Sequence, residues 1–207
     1  SPLSHPIYKA LWFATMGSNI GNAMHEVGAL WLMTNLTQSP LMVALIQTST
    51  ALSMVLLSLF AGGLADVVDR RKLLLITQGY MFIVALTLAF LTIGELITPT
   101  TLLLLTFMLG SGAAISIPSS ISITLEMVSK PEIPATITLG GVSLNIGRAV
   151  GPAIFGFIIA SLANPGFVFI LNALSFIGLI IVLSRWHPSQ EKRNMPAEHI
   201  VGAMKAG

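Results

Sequence analysis

Cysteine is absent from this chain of 207 residues, which excludes disulfides, thiolate metal sites and thiol nucleophiles. Charged residues are scarce as well: they make up 9% of the sequence and hydrophobic residues 54%, whereas soluble proteins carry about 25% charged residues. The HExxH, GxSxG and P-loop motifs are missing, and no apolar stretch holds paired aspartates. These absences argue against a soluble domain and against an enzyme, and they favour a protein with no metal site and no cofactor.

Six long apolar stretches dominate the sequence. Each is near or above the ~20 residues that a helix needs to cross ~30 Å of hydrocarbon. They cover residues 8–35, 42–65, 73–93, 101–127, 135–162 and 167–183. We therefore predict an all-α membrane protein in which residues 1–184 form one bundle of six transmembrane helices. From residue 185 the sequence becomes polar, which marks the end of the bundle.

The basic residues indicate how the six helices are oriented. Nine of the ten Lys and Arg residues fall in the terminal regions and in the second and fourth loops, which share one side of a six-helix bundle. The loops on the opposite side carry a single charge, that of Glu95. Because cytoplasmic loops are enriched in Lys and Arg, both ends of this segment are expected in the cytoplasm. The net charge of +2 therefore reports topology and does not indicate a nucleic-acid partner.

Two charged residues lie deep inside the predicted spans, away from the span ends at which Lys9 and Glu126 fall, and a charge at such a depth costs ~2.5–3.5 kcal/mol or more. Glu26 in the first span and Arg148 in the fifth lie at comparable depths, so they can form a pair or share a polar cavity. Asn19, Asn22 and Glu26 are spaced by three and four residues, which places them on one helix face. This stripe either lines a substrate path or joins the helix to its neighbours. For His25, a buried imidazole with hydrogen-bond partners is favoured over a group that titrates near neutral pH.

The segment 62–72 holds two acids and three bases between the second and third apolar stretches. It resembles the signature loop of the major facilitator superfamily, G-x-L-a-D-r-x-G-R-[RK]. The matching residues are Gly62, Leu64, Ala65, Asp66, Arg70 and Arg71. Two positions depart from the pattern, because Val67 replaces the usual base and Asp69 replaces the usual Gly.

The fifth apolar stretch resembles the antiporter motif of the same superfamily, g-x-x-x-G-P-x-x-G-G. Gly147, Gly151, Pro152 and Gly156 match, whereas Phe155 departs from it. The start of the chain and the Asp-Arg-Arg variant of the loop are similar to the enterobactin-exporter-like branch, the transmembrane secretion effectors.

This resemblance implies the N-terminal half of a twelve-helix fold, whose C-terminal six-helix bundle is missing from this chain. Residues 185–207 would begin the central cytoplasmic loop, and the chain, which starts at Ser1 without Met, would be a portion of a longer protein. The resemblance also implies a conformational switch that includes Gly62. In it, Asp66 lies near a helix N-terminus of the other bundle, and Arg70 or Arg71 pairs with Glu126.

The function implied by the resemblance is secondary active transport in the cytoplasmic (inner) membrane of a bacterium. A small molecule would be exported in exchange for protons by alternating access. The Arg that many proton antiporters carry in the fourth helix would fall near Thr106 here, so Glu26 or Arg148 would have to serve the coupling. The alternative is a non-transporting six-span scaffold, or a half-transporter that needs a partner bundle.

Overall fold

A computed structural model of the protein contains six long helices. We describe residues 1–186, without the side chains of residues 59, 60 and 62–67. The helices are α1 (Pro6–Leu36), α2 (Pro40–Val67), α3 (Arg70–Ile93), α4 (Pro99–Glu126), α5 (Ile133–Leu162) and α6 (Gly166–Arg185). Two 3₁₀ turns precede α1 and α5, and residues 1–186 contain no strand. The predicted all-α architecture is confirmed, and each helix covers its predicted apolar stretch to within one residue.

Five helices in the described part of the chain, α2 to α6, are long and apolar enough to cross a membrane. Helix α1 has 31 residues and is therefore long enough, but it is not among the five. Asn19, Asn22, His25 and Glu26 lie near its middle and lower its hydropathy. That α1 also spans the membrane stays a prediction, and so does the total of six spans.

Proline and threonine residues fix several helix starts. Pro6, Pro40 and Pro99 occupy the first positions of α1, α2 and α4, where a missing N–H costs nothing because that group has no intrahelical partner. Thr98 caps α4, since its hydroxyl accepts a hydrogen bond of 3.2 Å from the backbone N–H of Thr101. The loops between these helices are short, so successive helices run antiparallel.

The helices are arranged in space in the order α2, α4, α3, α6, α1, α5. Helix α1 packs against α5 and α6, α3 packs against α4 and α6, and α2 packs against α4. An apolar core fills the space between α1, α3, α4 and α6 around Leu88, Leu102, Phe169 and Phe176, which are all fully buried. Helix α1 touches α2 and α4 only lightly, so the bundle is open between them on one face.

Most of the basic residues lie at one end of the bundle, as three contacts demonstrate. The His5 ring nitrogen Nε2 lies 3.0 Å from Glu132, which brings the starts of α1 and α5 together. Arg70 at the start of α3 donates a hydrogen bond of 2.9 Å to Glu126 at the end of α4. Arg71 reaches the last turn of α6. Lys9, Lys72, Lys130 and Arg185 belong to these same helix ends.

Candidate functional site

A cleft of about 470 Å³ opens between α1, α2 and α4. Its polar lining residues are His25 and Glu26 of α1, Gln47 and Thr50 of α2, and Thr106 of α4. Aliphatic walls complete it, formed among others by Val27, Leu30, Ile46 and Met54. Its size lies within the range of about 300–1,000 Å³ that small-molecule sites occupy, and a few polar groups among apolar walls are typical of such sites.

Glu26 and Arg148 are both exposed. No ion pair within 4.0 Å joins the side chains of Glu26 and Arg148. Glu26 lines the cleft, whereas Arg148 is not among its lining residues. A direct pair between the two side chains is therefore not formed here, and a shared polar cavity stays a prediction. The role of both residues in transport stays a prediction.

The polar stripe of α1 divides between two roles. The Asn19 side-chain amide donates a hydrogen bond of 2.9 Å to the Ser143 hydroxyl, which joins α1 to α5. Glu26, two turns further along the same face, lines the cleft instead. Asn22 lies between them and is half-buried. The stripe therefore joins α1 to a neighbouring helix at Asn19, whereas a substrate path along Glu26 stays a prediction.

His25 and Thr106 are buried at the wall of the cleft and lack polar partners. His25 is 7% exposed and Thr106 is 4% exposed, and neither imidazole nitrogen nor the threonine hydroxyl has a hydrogen-bond partner among the described residues. The His25 ring instead packs against Phe169, with 5.3 Å between ring centroids. The expected burial of His25 is confirmed, but the expected hydrogen-bond partners are wrong, because α1 presents this position to aromatic and apolar side chains.

Two of the four residues of the antiporter-type motif hold α5 against α1. A Cβ atom at Gly147 would lie 2.8 Å from the backbone of Asn19, and one at Gly151 would lie 2.6 Å from the Cβ of Ala23. Gly156 has no neighbouring atom within 4 Å of such a Cβ, so it makes no close approach here. Pro152 lies inside α5 and leaves the carbonyl of Arg148 without its helical hydrogen bond, because proline has no N–H.

Three charged residues of the segment 62–72 make different contacts. Arg70 pairs with Glu126, as the resemblance implied for one of the two arginines. Arg71 instead donates hydrogen bonds to the carbonyls of Leu183 (2.7 Å) and Ser184 at the end of α6. Asp69 caps α3, since its carboxylate accepts hydrogen bonds from two backbone N–H groups of the first turn.

Gly62 and Asp66 lie in the last turns of α2. The Asp66 side chain falls outside the described part of the chain, so its predicted contact with a partner bundle stays a prediction. The role of Gly62 in the switch stays a prediction as well.

Sequence reasoning missed three polar residues of the cleft, Gln47, Thr50 and Thr106, as lining groups. A signal for two of them was present, because Gln47 and Thr50 stand three residues apart within an apolar helix and therefore share one face. Asp69 was also missed as a cap, although Asp directly before a helix is a strong sign of that role.

The whole chain, residues 1–207, matches the family of transmembrane secretion effectors. A staphyloferrin A transporter of Staphylococcus aureus (strain NCTC 8325 / PS 47) is 25% identical over 193 residues, which cover 90% of this chain and 48% of the relative. The chain therefore spans about half the length of that curated relative. Since the match extends over every residue, the chain belongs to the transmembrane secretion effector family, a group of transport proteins within the major facilitator superfamily.

Proposed function

We propose that this chain is half of a secondary active transporter that exports a small molecule in exchange for protons by alternating access. The observation that carries the proposal is the cleft between α1, α2 and α4, with Glu26 at its wall. An acid within an apolar helix is costly, and such residues typically face a substrate or ion path. The aliphatic walls of the cleft suit the apolar part of a ligand, and Glu26, Gln47 and Thr50 suit its polar groups.

Glu26 is the residue we assign to proton coupling. Its carboxylate is exposed to the open face of the bundle, where it can take up and release a proton. Arg148 of α5 is the second charge that we assign to the path, and no ion pair within 4.0 Å joins it to Glu26. Many antiporters of the superfamily carry an arginine at the position of Thr106. The threonine hydroxyl carries no positive charge, so Thr106 cannot take the role of that arginine.

A second six-helix bundle would cover the open face and complete the path. Helices α2 and α5 carry many exposed apolar side chains that a second bundle or lipid would cover, including Leu52, Val55, Ile137 and Leu144. The relative of twice the length is consistent with a second unit of similar size. The Asp66 side chain, near the end of α2, would contact this bundle.

Transport by the full-length protein in proteoliposomes tests the main proposal. Staphyloferrin A is the first substrate to try, because the relative is named for it. An imposed proton gradient should drive the substrate across the membrane in the direction opposite to the protons, and an uncoupler should abolish this transport. Movement that is indifferent to the gradient would remove proton coupling from the proposal, and no movement of any substrate tried would favour the scaffold.

The pair formed by Arg70 and Glu126 is proposed as part of the conformational switch. Reversing one charge, as Arg70→Glu or Glu126→Arg, should lower the transport rate several-fold, because like charges then replace the ion pair of 2.9 Å. The double reversal should restore much of the rate, since it re-forms the pair in the opposite sense. Lys72→Glu, an exposed charge reversal in the same segment, is the control and should have little effect. Equal rates in all four variants would contradict a switching role.

The protein is proposed to lie in the cytoplasmic membrane of a bacterium with both described ends in the cytoplasm. Because the sequence lacks cysteine, a single introduced thiol reports the side on which it lies. A membrane-impermeant maleimide applied to intact cells should label Gln38→Cys, in the loop after α1, and should not label Ser129→Cys, in the loop after α4. Both positions are polar and lie in loops, which makes the variants a matched pair. The reverse pattern would invert the topology.

A further inference from the structure

Helix α3 exposes one continuous stripe of side chains, which we call the α3 stripe. It begins at Lys72 and continues through Ile76, Ile83, Thr87 and Phe90, which follow one another at intervals of three, four or seven residues and therefore share a helix face. Its three large apolar side chains are 67%, 63% and 65% exposed. Apart from its basic end, the stripe is thus almost entirely apolar.

Helix α6 carries a second stripe of the same kind, the α6 stripe. Phe167, Leu171, Leu174 and Ile181 are exposed at the same intervals, and Arg185 continues the stripe four residues further on. Helices α3 and α6 pack against each other, so the two stripes lie on neighbouring helices. The described lining of the cleft comes from α1, α2 and α4 only, so a second bundle that covers the cleft leaves both stripes to the lipid.

Both stripes end in a base at the same end of the bundle. Lys72 lies in the first turn of α3, and Arg185 is the last residue of α6. Arg71 ties these two ends together, because its guanidinium donates hydrogen bonds to the carbonyls of Leu183 and Ser184. Lys72 and Arg185 directly follow residues of this contact, so the two bases belong to one place, the α3–α6 junction.

The α3–α6 junction carries a net positive charge. Its bases are Arg71, Lys72 and Arg185, and the acid beside them is Asp69, whose carboxylate accepts hydrogen bonds from two backbone N–H groups of α3. Three bases and one acid leave a net charge of +2, and the neutral ion pair between α3 and α4 does not change it. The exposed Lys72 ammonium group has neither a hydrogen bond nor an ion pair among the residues whose side chains are described.

An anionic phospholipid matches both parts of this surface. Its acyl chains are as apolar as the exposed leucine and isoleucine side chains of the stripes. Its phosphate lies at the level of the helix ends, where Lys and Arg side chains reach the membrane interface. Ammonium and guanidinium groups both bind phosphate, and basic pockets between transmembrane helices bind anionic headgroups.

We propose that the α3–α6 junction is a binding site for an anionic phospholipid of the leaflet at this end of the bundle. Lys72 and Arg185 bind the phosphate, and the acyl chains lie along the two stripes beside Ile76 and Ile181. The bound lipid stabilises the packing of α3 on α6. It takes no part in the transport step, in agreement with the small effect on transport expected of Lys72→Glu, and the site does not depend on which molecule is transported.

Thermal unfolding of the full-length protein in nanodiscs of two compositions tests this site. The unfolding midpoint should be several degrees higher in a mixture of phosphatidylcholine and the anionic phosphatidylglycerol than in phosphatidylcholine alone. Lys72→Gln should lower this difference by about half, and its combination with Arg185→Gln should remove most of it, because glutamine has no charge to bind the phosphate. Each variant has its own reference in phosphatidylcholine, so a general loss of stability cancels.

Two variants serve as controls for Lys72→Gln. Lys72→Arg keeps the charge and should keep the full difference between the two compositions. Lys130→Gln removes an exposed lysine at the same end of the bundle, but from the turn before α5, and should also keep it. An unchanged difference in Lys72→Gln would overturn the proposal. So would an equal loss in Lys130→Gln, since it would indicate a general attraction of anionic lipid to every base.

Photochemical cross-linking locates the lipid on the unaltered protein. Phosphatidylglycerol and phosphatidylcholine, each with a diazirine near the start of an acyl chain, are compared in otherwise identical nanodiscs. Cross-linking at Ile76 and Ile181 should be several-fold stronger with phosphatidylglycerol. At Phe90, at the opposite end of the α3 stripe, the two lipids should react equally. Equal reaction of both lipids at all three residues, or no reaction along the stripes because protein covers them, would overturn the proposal.

Discussion

Alanine at position 147 or 151 should push α1 and α5 apart and lower the stability of the bundle by about 1–3 kcal/mol, the usual range for overpacking. A Cβ at Gly151 would lie 2.6 Å from the Cβ of Ala23 and 3.0 Å from the backbone nitrogen of Met24. At Gly147 the obstacle is the backbone of Asn19. Because backbone atoms cannot turn aside as a flexible side chain can, we expect values at the upper end of the range for both variants.

Gly156→Ala is the matched control for these variants. It makes the same change in the same helix, but no atom lies within 4 Å of the added methyl group. Alanine favours a helix over glycine by about 1 kcal/mol, so this variant should be as stable as the parent or more stable. Thermal unfolding of the full-length protein in nanodiscs measures all three. A fall of similar size in all three would contradict the assigned packing of α5 on α1.

Glu26→Gln should reduce proton-coupled transport by about tenfold or more, equivalent to ~1.4 kcal/mol or more in the barrier. Glutamine keeps the shape and the hydrogen bonding of the side chain but cannot carry a charge or exchange a proton. Since Glu26 is exposed at the cleft and has no ion pair within 4.0 Å among residues 1–186, the fold should survive the change. Transport rates across a pH series in proteoliposomes measure the loss of coupled transport. Thermal unfolding midpoints of the same variants measure whether the fold survives.

Two further variants separate coupling from simple loss of charge. Glu95→Gln removes an exposed acid from the loop between α3 and α4, and transport should be unchanged. Arg148→Gln removes the other charge that lies deep in the predicted spans, so it should lower transport in the parent and should add little to the loss in Glu26→Gln if both charges serve one path. If Glu26→Gln transported at the parental rate with the parental pH dependence, Glu26 would have no part in coupling.

The helices could be predicted from the sequence because helix length and hydropathy are local properties. A run of about twenty apolar residues has few alternatives to a helix in hydrocarbon, and the prolines and polar loops mark where each helix ends. The contact between Arg70 and Glu126 was also foreseen in part, as a choice between two neighbouring arginines. The structure selects Arg70, since successive residues on a helix point about 100° apart and Arg71 therefore reaches α6.

Which side chains pair between helices depends on how each helix is rotated about its axis and on which helices pack beside it. Asn19 and Glu26 are seven residues apart, which leaves them only about 20° apart around α1 but about 10 Å apart along it. Asn19 meets Ser143 at its own level, whereas Glu26 lines an opening. The partners of His25 could not be foreseen either, because they depend on which helix happens to pack against that face.

The sequence by itself determined the class of protein, the positions of six helices and a consistent charge asymmetry between their two ends. It could do so because the free-energy cost of placing backbone groups and charges in hydrocarbon depends on the residues of each segment and not on its neighbours in the fold. Only the tertiary structure decided which glycines of the antiporter-type motif pack closely and which polar side chains face a cleft or a neighbouring helix. Gly147 and Gly151 are four residues apart and share a face, whereas Gly156 lies five residues further on, about 140° away around the helix. Such distinctions arise from where neighbouring helices stand, and that arrangement is set by the packing of the whole bundle.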